Sequence, residues 1–102
     1  METTTYKSFA DFYPFYLSEH SNRTCRRLHF AGTSIGGLFL LQAIESLNPW
    51  WIIVGLAVGY AFAWVGHFRF EKNRPATLTY PFYSFVGDWA MWKDTLTGKI
   101  PF

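Results

Sequence analysis

The chain contains three histidines, His20, His29 and His67, and a single cysteine, Cys25. Three neutral imidazoles that leave a coordination position open suit a catalytic divalent metal, with zinc and ferrous iron the main options. His67 lies where the most apolar stretch turns abruptly polar, in Gly66-His67-Phe68-Arg69-Phe70-Glu71-Lys72-Asn73-Arg74. Ionisable residues clustered at the end of a membrane-length run suggest a site by default. A lone histidine at a helix end is more often an interfacial or capping residue, so the metal reading depends on all three converging.

Other polar residues near the histidines each have two readings. Glu71 falls four residues after His67, on the same helical face. It could be a further ligand or an acceptor for an imidazole N–H, or an ion-pair partner for Arg74 or Lys72. Glu19, next to His20, has the same two roles open. Asp88 could reach the site from below or sit solvated on a polar face. Asn73 and Asn22 could orient ligands or simply form turns. Arg23, Arg26, Arg27, Arg69, Lys72 and Arg74 form a basic collar. The commoner role of such a collar is to meet phospholipid headgroups. The sharper reading is that it holds the carboxylate of an amphiphilic substrate, which the bidentate arginine fork suits. Arg23 and Arg74 are the first choices, with Lys72 and Asn73 beside them. There is no glycine-rich phosphate loop, no Ser-His-Asp order and no cysteine pair.

The elements that must position these groups follow from composition. The chain has 102 residues, enough for one domain spanning 1–102. Aromatic residues make up 22% and charged residues only 16%. Residues 30–47 contain only Gln42 and Glu45 as strongly polar groups, and residues 50–66 contain no charge. Each run is roughly 25–27 Å long as helix, which just spans a bilayer core. The expected fold is therefore an all-α integral membrane protein. It is a two-span antiparallel transmembrane hairpin with flanking interfacial amphipathic helices. Helices are predicted over 8–20, 22–47 (span 30–47), 49–72 (span 50–66) and 82–96, after a frayed start at 1–5. The competing reading is a pair of buried helices in a soluble bundle. Basic residues flank the hairpin while its loop has none, which places both termini in the cytoplasm. A formal charge of +2 is too mild to imply nucleic acid.

Spacing then aims the histidines. Gly55, Gly59 and Ala63 recur at four, a stripe that lets helices approach closely, and His67 is the next residue on it. His29, Thr33 and Gly37 repeat likewise on the first span. Both histidines thus sit on packing faces at the cytoplasmic end. On one continuous helix His20 would point about 180° from His29. A break at Ser21-Asn22, with either residue a good N-cap, lets His20 fold back beside it. Asn48-Pro49 reads as N-cap and first position of the second span. Pro14 fits only a first turn or a kink. In the last helix Phe82, Phe85, Val86, Trp89, Trp92 and Leu96 share one face, with Ser84, Asp88, Met91 and Asp94 toward the other. A lone hairpin leaves small-residue faces to cover, so a homodimer is one way to cover them.

The segments Tyr16-Leu17-Ser18-Glu19-His20, Asn22-Arg23, Leu28-His29-Phe30-Ala31-Gly32-Thr33, Trp64-Val65-Gly66-His67-Phe68, Glu71-Lys72-Asn73-Arg74-Pro75-Ala76-Thr77, Tyr80-Pro81 and Gly87-Asp88 resemble the Mpo-like family. The resemblance covers roughly residues 10 to 98 in order and spacing. It implies a small membrane enzyme with ferrous iron, Fe(2+), as cofactor. The implied reaction is α-oxidation of a 2-hydroxy fatty acid by O₂ to a fatty acid one carbon shorter plus CO₂. It further implies His20, His29 and His67 as the catalytic iron ligands, and membrane lipid as the surroundings. The endoplasmic reticulum or a bacterial inner membrane is the expected location. Two other readings compete: a non-enzymatic membrane scaffold or lipid-binding hairpin, and a zinc-dependent membrane hydrolase.

Overall fold

The computed structural model describes residues 6–102, which are helical and turn-forming with no strand. The expected frayed start at 1–5 lies outside these residues. Helix α1 runs over Phe9–Ser18, capped by the Ser8 hydroxyl, which accepts from the Asp11 N–H at 3.2 Å. Pro14 falls inside α1 rather than in its first turn, so its ring takes away one backbone donor there. Helix α2, Arg23–Ser46, begins at the expected break: the Asn22 side chain accepts from the Cys25 N–H at 3.1 Å. Leu47 then turns left-handed at φ 55° and ends α2. The Asn48 side chain accepts from the Trp50 N–H at 3.0 Å, and α3, Trp50–Val65, follows Pro49.

Helix α3 continues without a break into a π-helical turn, Gly66–Glu71, which Lys72 closes in a left-handed conformation. The combined helix Trp50–Glu71 is the one helix among the described residues long and apolar enough to cross a membrane. The longer α2 does not reach that mark, because Thr33, Ser34, Gln42 and Glu45 dilute its apolar run. The expectation of two spans therefore holds for one helix by length and composition. The pair α2 and α3 is nonetheless an antiparallel hairpin, with Gly32 and Gly36 against Gly55 and Gly59.

A short 3₁₀ turn, Ala76–Leu78, and α4, Pro81–Leu96, fold back with α1 over the open end of the hairpin. Phe12, Tyr16, Ala76 and Met91 form the buried core here, ringed by Tyr6, Phe15, Tyr80 and Tyr83. Helix α4 turns Ser84, Gly87 and Met91 into the fold and lays Trp89 and Trp92 against α2. Ser84, Gly87 and Met91 are buried, whereas Phe82 is 73% exposed and Phe85 and Leu96 are also exposed. Trp92 fixes this orientation by donating to the Ser34 hydroxyl at 2.9 Å and stacking on Phe30. The hairpin tip is equally apolar outside: Leu38, Leu41, Ile44, Leu47 and Trp50 are all more than half exposed.

Candidate metal centre

Three elements deliver the three histidines. The carbonyls in the last turn of a helix have no intrahelical donor. His20, just past the end of α1, adds a second donor to one of them: its Nδ1 lies 2.6 Å from the Tyr16 carbonyl, which also accepts from the Glu19 N–H. His29, in the second turn of α2, places Nδ1 3.1 Å from the Cys25 carbonyl one turn back. His67 sits in the π-helical turn, with Nδ1 2.7 Å from the Asn73 side-chain oxygen. That oxygen is assigned by its neighbour: the Asn73 amide nitrogen donates to the Glu19 carbonyl at 3.1 Å. π-helical turns are rare and frequently occur at functional sites.

These contacts fix the tautomers. A carbonyl oxygen can only accept, so each Nδ1 carries the proton and donates. Each Nε2 is then left as a bare lone pair. The three candidate ligand atoms lie within 4.8 Å of one another, with the Nε2 atoms of His20 and His29 3.1 Å apart. Two acceptors at that distance cannot hydrogen-bond to each other. They can share a cation: nitrogens each about 2.0–2.1 Å from one ion stand about 3.0–3.4 Å apart at the usual angles. The rings meet edge to face, with centroids 4.3 to 4.9 Å apart. They are 1%, 4% and 2% exposed in chain order. Burial first, and then the neighbouring imidazole, hold His20 well below the ordinary histidine value and bring His29 down to about 3. Both are therefore neutral at physiological pH, as metal ligands must be. The all-imidazole donor set and the separation of the His20 and His29 Nε2 atoms fit a divalent ion, and the His67 ring stands close enough to be the third ligand.

The remaining expected site residues fall around this cluster rather than in it. Glu71 turns to the α1–α2 connection, accepting from the Ser21 hydroxyl at 3.2 Å and from the Asn22 N–H. Glu19 meets Asn73 through its backbone and side chain. Arg23, Lys72 and Arg74 are exposed at the same end of the fold. Arg26 binds the His20 and Ser21 carbonyls, and Arg27 binds the carbonyl and covers the ring of Phe102. Cys25 is fully buried and packs against Gly66, where an added Cβ would stand 2.9 Å from Sγ. Burial pushes its thiol up to about 12, and it stands outside the three-histidine group.

Asp88 accepts a hydrogen bond from the Tyr16 hydroxyl. The Tyr16 ring lies 4.2 Å from that of His20, so Asp88 reaches the cluster at second hand. Burial raises the Asp88 carboxyl to about 7, against the opposing pull of the Tyr16 hydrogen bond. A raised folded pKa favours the protonated form in the native state. Its stabilisation is complete below about 4 and is lost as pH rises through about 7. The stability of wild type relative to Asp88→Asn should therefore fall across that window and level above it. In the metal-free protein the change should be on the order of 2–4 kcal/mol. Denaturant unfolding of both proteins at several pH values checks it, and a constant difference would contradict the buried carboxyl.

The Tyr16 contact with Asp88 and the π-turn are features around the candidate centre that the sequence does not reveal. The description "2-hydroxy-palmitic acid dioxygenase Mpo1-like" matches the chain over residues 6–100, a stretch that includes every residue of this centre. The chain belongs to the Mpo1-like family. No curated protein and no solved structure matches it. In this Mpo1-like protein, then, three buried histidines able to hold a metal ion lie inside the region the family shares.

Proposed function

We propose that this Mpo1-like protein is a ferrous-iron dioxygenase that α-oxidises a 2-hydroxy fatty acid. The balanced reaction takes R–CH(OH)–COOH and O₂ to R–COOH, CO₂ and H₂O. The C1–C2 bond breaks and C2 is oxidised to the new carboxyl carbon. The observation that carries the reading is the meeting of three buried histidines, each with Nδ1 held by an oxygen and with candidate ligand atoms within 4.8 Å of one another. Three neutral imidazoles leave a divalent ion with its full charge, and an uncompensated buried charge is costly. The site thus favours an anionic ligand with two adjacent oxygens, which a 2-hydroxy carboxylate is. Iron, when bound, would supply redox chemistry with O₂.

The protein's own groups do the rest. Asn73 and the Tyr16 and Cys25 carbonyls hold the imidazoles in the ligating tautomer. Asp88, hydrogen-bonded to Tyr16, adds a buried carboxyl next to the ring that packs on His20. Arg23, Arg74 and Lys72, exposed at the same end, draw the substrate carboxylate in, and Asn73 borders its path. The aromatic cap formed by α1 and α4 keeps bulk water out. The outward apolar faces of α2, α3 and α4 support insertion of the hairpin in a membrane, with both termini cytoplasmic and α4 lying at the interface.

The test is anaerobic loading with Fe(II), then O₂ uptake with 2-hydroxy acids and mass analysis of products. One O₂ should be consumed per acid, with a product one carbon shorter. Tight zinc and no O₂ uptake would replace this reading with a zinc hydrolase. No stoichiometric metal under any loading would replace it with a scaffold.

A further inference from the structure

A cavity of about 110 Å³ opens beside the metal centre, between α2, α3 and α4. One of its walls is His29 itself, and Asp88, Thr33 and Tyr60 supply the other polar groups. The remaining wall is apolar, ending at Leu40 on α2 and Ile52 on α3. His29 and Leu40 are eleven residues apart on one helix, and Ala63 and Ile52 are eleven apart on its antiparallel neighbour. Both intervals correspond to roughly 16 Å of helix. The cavity is thus a long slot with a polar end at His29, Thr33, Tyr60 and Asp88 and a hydrocarbon body.

Its origin lies in the helix contact. The glycines of α2 and α3 bring the two backbones together and leave no side chains to fill the valley above them. Phe85 and Trp89 of α4 form the third wall. An apolar cavity of this kind is not stabilised by water, whereas a hydrocarbon tail would gain about 0.8 kcal/mol per buried CH₂.

We propose that this slot is the acyl-tail subsite, with the reacting head at His29 and Asp88 and the tail extended toward Leu40 and Ile52, which set the preferred tail length. The proposal rests on the dioxygenase reading for the identity of the head group. The polarity gradient from the polar end to the far end, continuous with the metal centre, selects a single-tailed amphiphile bearing a polar acid head. A phospholipid carries two tails, whereas the slot is a single channel between three helices.

The test uses two readouts. The first is tryptophan fluorescence of the metal-free protein titrated with a fatty acid brominated along its tail, with Trp89→Phe as the reference. Quenching that is lost in Trp89→Phe, and reversed by an unlabelled 2-hydroxy acid, is expected. Equal quenching by a brominated phospholipid that no 2-hydroxy acid reverses would overturn the proposal, as would the absence of Trp89 quenching. The second readout is the tail-length profile of O₂ uptake in Leu40→Trp and Ile52→Trp. Both positions are about two-fifths exposed, so added bulk need not break the core. Metal content should be unchanged while activity on the longest acids falls at least tenfold and on short acids persists. An unaltered profile would overturn the proposal and leave the dioxygenase reading standing. Reversible quenching without any O₂ uptake in wild type would do the reverse.

Discussion

Replacing any one of His20, His29 or His67 by alanine should reduce metal affinity by more than about 100-fold. That exceeds the 10–100-fold range typical when a group that only orients a ligand is removed. The reason lies in the tautomers. All three imidazoles donate Nδ1–H to oxygen, which leaves each Nε2 free to ligate. No other acidic or thiol side chain among the described residues joins their cluster. Losing one therefore leaves two nitrogens and no substitute. Asn73→Ala should fall within the smaller range, because His67 keeps its position in the π-turn and loses only its orienting acceptor. Glu71→Gln should leave metal stoichiometry intact, since its carboxylate meets Ser21 and Asn22. Anaerobic equilibrium dialysis with Fe(II) reads these differences directly. Thermal unfolding gives an independent measure: an ion at about 1,000 times its Kd stabilises the fold by about 4 kcal/mol, and that gain should vanish in each histidine variant. Full metal stoichiometry in any of the three would rule out a shared site.

The route from sequence to this site was legible where side-chain spacing alone decides direction. The stripe through Ala63 to His67 and the repeat from His29 to Thr33 predict facing histidines, whose rings lie 4.9 Å apart. The Asn22 cap was legible because a short acceptor before a helix has few other uses. The π-turn was not legible, because widening the backbone from i→i+4 to i→i+5 leaves no mark in composition. Nor was the Glu71 contact with Ser21 and Asn22, since it joins residues about fifty positions apart. Helix α4 shows a deeper ambiguity. Its aromatic and polar faces are plain in sequence, but how each is divided between the fold and the outside is not. Here Ser84, Gly87 and Met91 face in and Phe82 faces out. Tyr16 supplies the reason: its hydroxyl needs an acceptor in the core, and Asp88 on the polar face provides it.

Gly32→Ala should destabilise the hairpin by about 2–3 kcal/mol and weaken metal binding together with it. A Cβ at this position would stand 2.7 Å from the Phe62 Cβ and 2.9 Å from the Gly59 carbonyl oxygen. Both obstacles belong to the α3 backbone or sit directly on it, so neither can rotate aside. The helices themselves must separate. The separation would fall three residues from His29, on the face that sets its distance from His67. Gly37→Ala is the matched control. Its added Cβ would meet only the tip of the Trp89 ring, at 3.0 Å, and a side-chain tip can yield. That variant should cost less than about 1 kcal/mol and keep its metal. Unfolding in detergent micelles, paired with Fe(II) titration of both variants, makes the comparison. If Gly32→Ala matched wild type in both, the close crossing of α2 and α3 could not be what holds His29 and His67 in register. If it lost stability but bound metal normally, the crossing would hold the fold while α1, the π-turn and the Asn73 contact held the site.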